Sequence, residues 1–143
     1  MNSKAKIVIV DDYEMFREGL KLLIETEGIG EVIAEAGNGQ EFLDLLEFNL
    51  PDLVIMDIEM PLMGGLEATI KAIAIRSNLK ILVLTLQCPE EDYNDLKSAG
   101  VMGFVLKTSG KHELEKAIKM VISGKKYFSE VQYHNIKINL VCK

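Results

Sequence analysis

Five short, largely apolar runs, each followed by a longer stretch with helical spacing, limit what this chain can fold into more than any other feature. The runs lie at residues 6–10, 32–36, 53–56, 81–84 and 103–106. "LVIM" at 53–56 and "ILVL" at 81–84 hold no polar residue, as expected of strands covered on both faces in a parallel sheet. In the second run Val32, Ala34 and Ala36 alternate with Ile33 and Glu35, the weaker pattern of an edge strand. Between the runs, Phe16, Leu20, Leu23 and Ile24 recur at helical spacing, as do Phe42, Leu45 and Leu46, and later Leu114, Ile118, Val121 and Ile122. Each set predicts an amphipathic helix that lays its stripe on a core. Gly28-Ile29-Gly30, Asn49-Leu50-Pro51, Ser77-Asn78 and Ala99-Gly100 punctuate helix ends, and Asn38-Gly39 suits a turn into the second helix. Five βα units follow: an α/β fold with a parallel sheet, helices on both faces and right-handed crossovers.

At 143 residues the chain is one domain's worth. A hydrophobic share of 48% and a charged share of 27% are ordinary for a globular protein. The formal charge of -6 argues against direct nucleic-acid binding, which rests on clustered Lys and Arg. No apolar run approaches the roughly 20 residues of a membrane span, and the opening MNSKAK lacks the apolar stretch of a signal peptide. Cys88 and Cys142 form no CxxC or metal-spaced motif, and His112 and His134 stand alone. A cytoplasmic protein without disulfide framework or zinc site is expected.

Ligands of an open parallel sheet gather at the carboxyl ends of its strands. Here the first run ends in Asp11-Asp12, the third in Asp57, the fourth in Thr85 and the fifth in Lys107, while the second ends in uncharged Gly37-Asn38. Asp12 alone could be a helix N-cap before Tyr13-Glu14-Met15-Phe16. Capping does not account for Asp57, which breaks "LVIM" and precedes "IEMP" rather than a helix. Close carboxylates repel one another unless a cation joins them, and oxygen-only ligation suits Mg2+. On that reading, removing Asp11 or Asp12 leaves the metal-free protein at least as stable. A carboxylate beside such a cation can attack a phosphoryl group, with Thr85 donating a hydrogen bond and Lys107 an ammonium to its charge.

The stretches "IVIVDD", "PDLVIMDIEMP", "ILVLT" and "GFVLK", in that order, resemble the response-regulator receiver domain of two-component signalling over residues 5–128. The resemblance implies a flavodoxin-like, doubly wound (βα)5 fold whose five-stranded parallel sheet has the strand order 2-1-3-4-5. By position, Asp57 is implied as phosphoacceptor, Asp12 as direct Mg2+ ligand, Asp11 as a ligand through water, and Glu59 as the donor of a backbone carbonyl to the metal. Thr85 and Lys107 fall at the family's switch hydroxyl and lysine, and Phe104 at its rotameric aromatic, often Tyr. The implied partner is a sensor histidine kinase or a histidine phosphotransfer protein, with a phosphorylation-linked homodimer as a further implication. Enzymatic activity would be limited to self-phosphorylation and self-dephosphorylation.

"MPLMGGLEAT" (60–69) and "ISGKKYFS" (122–129) resemble the LuxR/NarL-type subgroup, in which a linker and a helix-turn-helix domain follow the receiver. Residues 129–143 are expected to be linker or extension, too short for such an output domain, so the chain is read as the regulatory part of a transcription factor or as a stand-alone receiver. Phe104 lacks a hydroxyl, so switching there must work by packing, and bulky Leu86 narrows access to the site. Two rivals remain open. In a haloacid-dehalogenase-like phosphatase, Asp57-Ile58-Glu59 would supply nucleophile and second acid, but that family's nucleophile strand comes first and Asp11-Asp12 is left unexplained. A pseudo-receiver would lack an acid-pocket residue, and none is missing.

Overall fold

Successive side chains of a strand point to opposite faces, and in this chain each face meets its own helical layer. The computed structural model describes residues 4–128; the expected linker at 129–143, with His134 and Cys142, lies outside the described residues. Among the described residues, six strands, β1 (Ala5–Val10), β2 (Gly30–Ala36), β3 (Leu53–Met56), β4 (Ile81–Thr85), β5 (Gly103–Leu106) and β6 (Tyr127–Phe128), form one sheet. Five helices join them: α1 (Glu14–Thr26), α2 (Gly39–Leu46), α3 (Gly65–Ile75), α4 (Glu90–Ala99) and α5 (Lys111–Ile122). Ile7, Ile9, Leu53, Ile55, Leu82, Leu84 and Val105 face a core with α1 and α5. Their neighbours Val8, Val10, Val54, Met56, Ile81, Val83, Phe104 and Leu106 face the core under α2, α3 and α4.

Every described strand pair is parallel, in the order β2-β1-β3-β4-β5-β6. The expected order 2-1-3-4-5 stands, and β6 extends it, pairing Gly103 with Tyr127 and Phe104 with Phe128. Two residues are too few to display a period, so this edge strand had no signature of its own. The expected edge strand is β2, whose register with β1 slips between Ile7 and Val8. That bulge leaves Ile33 without a partner and explains why burial along β2 does not alternate cleanly. Asn38 caps α2, its side chain accepting the Glu41 N–H at 3.0 Å. Gly100, at φ 107, closes α4 in the left-handed conformation that favours glycine.

The loop after β3 brings the backbone tightly past the site. Met63 N donates to Pro61 O at 2.7 Å across Leu62, whose φ of 67 makes this a γ-turn of the strained hand. Gly65 N then donates to Ile58 O at 2.8 Å, folding the start of α3 back onto the end of β3. A Cβ on Gly65 would overlap the Asp57 carbonyl and stand 2.9 Å from Ile58 Cα, backbone atoms that cannot step aside without moving Asp57. Gly65→Ala is therefore expected to lower stability by about 1–3 kcal/mol, measured by urea unfolding. A smaller loss would show that the loop yields.

Candidate functional site

Parallel strands deliver their carboxyl ends to one edge of the sheet, and the polar residues there converge. Asp11 and Asp12 leave β1, Asp57 leaves β3, Thr85 ends β4 and Lys107 opens a short 3-10 turn after β5. Together with Tyr13, Glu59, Leu86 and Gln87 they line a cavity of about 360 Å³. Of the residues singled out from sequence, only Phe104 lies elsewhere: it is fully buried on β5, its ring edge-on to Tyr93 with centroids 4.9 Å apart.

Backbone hydrogen bonds fix the acids before any side chain acts. Asp11 N donates to Ala36 O at 3.0 Å and Asp57 N to Val10 O at 2.9 Å, continuing the ladders of β2 and β1 by one residue. Asp57 Oδ1 accepts the Ile58 N–H at 2.8 Å. Its Oδ2 faces Lys107 Nζ at 3.3 Å, while the same ammonium binds Asp11 Oδ2 at 2.6 Å. Asp11 Oδ1 accepts the Tyr13 N–H at 2.9 Å. The residue at the N-cap of α1 is Tyr13 rather than Asp12, with no side-chain cap bond, so the capping reading of Asp12 is corrected: Asp12 is exposed and Asp11 closes the turn. Thr85 Oγ1 donates to Gln87 O at 3.2 Å.

Oxygens of Asp11, Asp12 and Asp57 all lie within 4.8 Å of one another. Burial, and next the charge of Asp11, hold the Asp57 carboxyl above its ordinary range; Lys107, the Ile58 N–H and the Thr85 hydroxyl oppose this with smaller effect. Burial alone would lower the Lys107 ammonium, but its hydrogen bond to Asp11 and the charges of Asp57 and Asp11 carry it above its ordinary value. Asp11, Asp12 and Asp57 thus set three close carboxylates against one ammonium. An all-oxygen set with one exposed acid fits a hard divalent cation that keeps part of its water. Cys88 is no rival nucleophile: burial, with Asp92 and Glu59 adding, pushes its thiol up to about 12, so the thiol stays protonated at neutral pH.

Several residues that shape the site were not singled out from sequence. The Arg17 guanidinium donates to the Asp11 carbonyl and pairs with Glu35 at 3.0 Å, tying α1 to the ends of β1 and β2. The Gln87 carbonyl receives the Thr85 proton. Phe16, read as part of a core stripe, lies under the Lys107 ammonium at 4.2 Å from its ring centroid. Nothing local marks these roles, since each depends on a partner brought in by the sheet.

Comparison with known proteins follows the same lines. The family model described as "Response regulator receiver domain" matches residues 7–119. The chain is 35% identical over 134 residues to the transcriptional regulatory protein DegU of Brevibacillus brevis, covering 94% of this chain and 57% of that protein. It is 36% identical over 126 residues to the response regulator GacA of Pseudomonas aeruginosa, covering 87% of this chain and 58% of GacA. The chain therefore spans little more than half the length of these curated relatives. A crystal structure of a LuxR-family two-component response regulator from Aurantimonas sp. SI85-9A1 superposes with a TM-score of 0.87 at 33% identity, covering 97% of this chain and 99% of that one. No described helix is long and apolar enough to cross a membrane.

The geometry revises one expectation about stability. Asp11 is the nearer anion of Lys107 and the acceptor of the Tyr13 amide, so Asp11→Ala should destabilise the metal-free protein by about 2–4 kcal/mol in denaturant unfolding, rather than relieve repulsion. Asp57 behaves oppositely. Its carboxyl is raised in the folded state, so its favourable contribution is complete below the ordinary carboxylate range and is lost as pH rises through the folded value. Asp57→Asn, neutral throughout, should therefore melt above the wild type at neutral pH without divalent cations. The gap should close as pH falls below about 4. A variant that melts lower at neutral pH would contradict this electrostatic account.

Proposed function

The chain belongs to the response regulator receiver domain family, in its LuxR/NarL-type branch, and on that premise we propose that Asp57 accepts a phosphoryl group with the help of Mg2+. One observation carries the reading: a buried carboxylate at the end of a central strand faces both an ammonium, at 3.3 Å, and two further acids within 4.8 Å. A carboxylate so placed is desolvated and oriented, which favours attack. An oxygen of Asp57 forms the new bond to phosphorus while the bond from phosphorus to the donor breaks, the donor leaving with the electron pair. Lys107 stabilises the charge that gathers on the phosphoryl oxygens, and the Thr85 hydroxyl turns from Gln87 to donate to one of them. Asp12, Asp57 and the Glu59 carbonyl would hold Mg2+, with Asp11 reaching it through water, and the ion would supply charge neutralisation for the incoming phosphate.

The donor on this reading is a sensor histidine kinase or a histidine phosphotransfer protein in the cytoplasm, and the output is transcriptional, as the name of one curated relative suggests. The switch follows from packing. Pulling Thr85 inward releases the Gln87 carbonyl and loosens the loop before α4. Phe104 is enclosed and leans on Tyr93, so its ring can turn only if α4 yields with it. A phosphorylation-linked homodimer would use the surface so changed.

Incubation with acetyl phosphate and Mg2+, followed by intact-mass measurement, tests the acceptor. Wild type should gain one phosphoryl group, Asp57→Asn none. Thr85→Ala should still gain one, yet lose the change in hydrogen exchange over residues 86–106 that beryllofluoride produces in the wild type. Full uptake by Asp57→Asn would overturn the assignment, and release of many equivalents of phosphate per chain would favour the phosphatase reading.

A further inference from the structure

An ammonium presents three N–H bonds, and Lys107 has two anionic partners, Asp11 Oδ2 at 2.6 Å and Asp57 Oδ2 at 3.3 Å. Its remaining side is turned to an aromatic face: Nζ stands 4.2 Å from the centroid of the Phe16 ring. We infer that Phe16 is a positioning residue for Lys107, holding the ammonium over its ring while the anions in front of it change. The inference rests on the receiver reading and adds to it a residue on α1.

A ring suits this task where another acid would not. Its face attracts a cation through the quadrupole, yet offers no lone pair that competes with a phosphoryl group for the proton donors. A water there could follow the ammonium wherever it went and so fix nothing. The surroundings strengthen the contact. Lys107's side chain is only 11% exposed, and Phe16 and Lys107 share an apolar cavity of about 290 Å³ between α1 and α5, walled by Leu20, Leu84, Leu106 and Leu114. Cation–ring attraction is largest where water is excluded, and the apolar wall also receives the methylene stem of the lysine. Phe16 is itself held on the core face of α1 beside Leu20 and Ile24. When Asp57 takes up a dianionic group, the ammonium must serve a new anion without swinging to solvent, and only the Asp11 contact and the ring remain to hold it.

A core residue and a positioning residue differ in what their loss does to the lysine. Phe16→Leu keeps an apolar side chain on the stripe but removes the ring face; Phe16→Tyr and Phe16→Trp keep the face, and the adjoining cavity has room for the larger ring. Nitrogen relaxation of the Lys107 ammonium should report lower order in Phe16→Leu and wild-type order in the two aromatic variants. The rate of phosphoryl uptake from acetyl phosphate with Mg2+ should fall roughly tenfold in Phe16→Leu and return in the aromatic variants. In a Lys107→Ala background the same Phe16→Leu change should cost nothing further. Unchanged ammonium order in Phe16→Leu, or an equal rate loss in both backgrounds, would overturn the inference. Should the wild type take up no phosphoryl group, the receiver reading fails, and ammonium order alone decides the role of Phe16.

Discussion

The ammonium of Lys107 joins three strand ends that would otherwise repel or drift. It starts after β5 and reaches Asp57 at the end of β3 and Asp11 at the end of β1, with β4 lying between in the sheet. Three strand spacings amount to about 14 Å, a span bridged only because a long lysine meets acids leaning toward it. The strand order is set by the two apolar cores, but the acids can be buried beside each other only while this cation sits between them. Every other feature of the cavity accommodates that bridge: Arg17 secures the backbone behind Asp11, the Tyr13 amide occupies its second oxygen, and Phe16 floors the ammonium.

Burial and charge pull against each other here, and burial prevails at Asp57. An unpaired buried carboxylate is costly, and one amide hydrogen bond and a shared ammonium do not bring Asp57 back to its ordinary range. The two large apolar cores on the sheet faces supply the stability that tolerates such a residue. A carboxylate left under-compensated gains from any added positive charge. Strain of this kind is concentrated at sites that do chemistry, and the γ-turn at Leu62 lies in the same loop.

On the opposite face, α4 is attached in a different manner from the other helices. Its described buried residues are Tyr93 and Leu96, and its first turn is acidic, which complements the helix dipole but adds no apolar area. Tyr93 makes edge contacts with Phe104 and Phe128, and Lys97 lies over the rings of both Tyr93 and Phe128 at 5.5 and 5.1 Å. These ring contacts and the buried side chain of Leu96 seat the helix on the core. Phe104 connects this attachment to β5, the strand that ends just before Lys107, so the aromatic cluster of α4 is in touch with the site.

Local sequence fixed the parts whose signal is local. Unbroken apolar runs marked β3 and β4 because both faces of a central parallel strand are buried, and the stripes of α1, α2 and α5 read correctly because each lies on a core. Helix α3 buries Ala68, Thr69 and Ala72, and α4 buries two residues; small or sparse apolar faces leave little period to read. Strand β6 is too short to have one. The candidate acids, hydroxyl and lysine stood out because polar residues interrupt apolar runs at strand ends. What each one touches did not. Asp11 and Lys107 are 96 residues apart, and nothing along the chain says that this acid, rather than exposed Asp12, takes the lysine, or that Phe16 lies beneath it. Residue types and their spacing determined which strands form and which ends carry charge. Only the order of strands across the sheet decided which charges meet, because electrostatic pairing depends on distance in space, and the sheet brings together ends that the sequence keeps far apart.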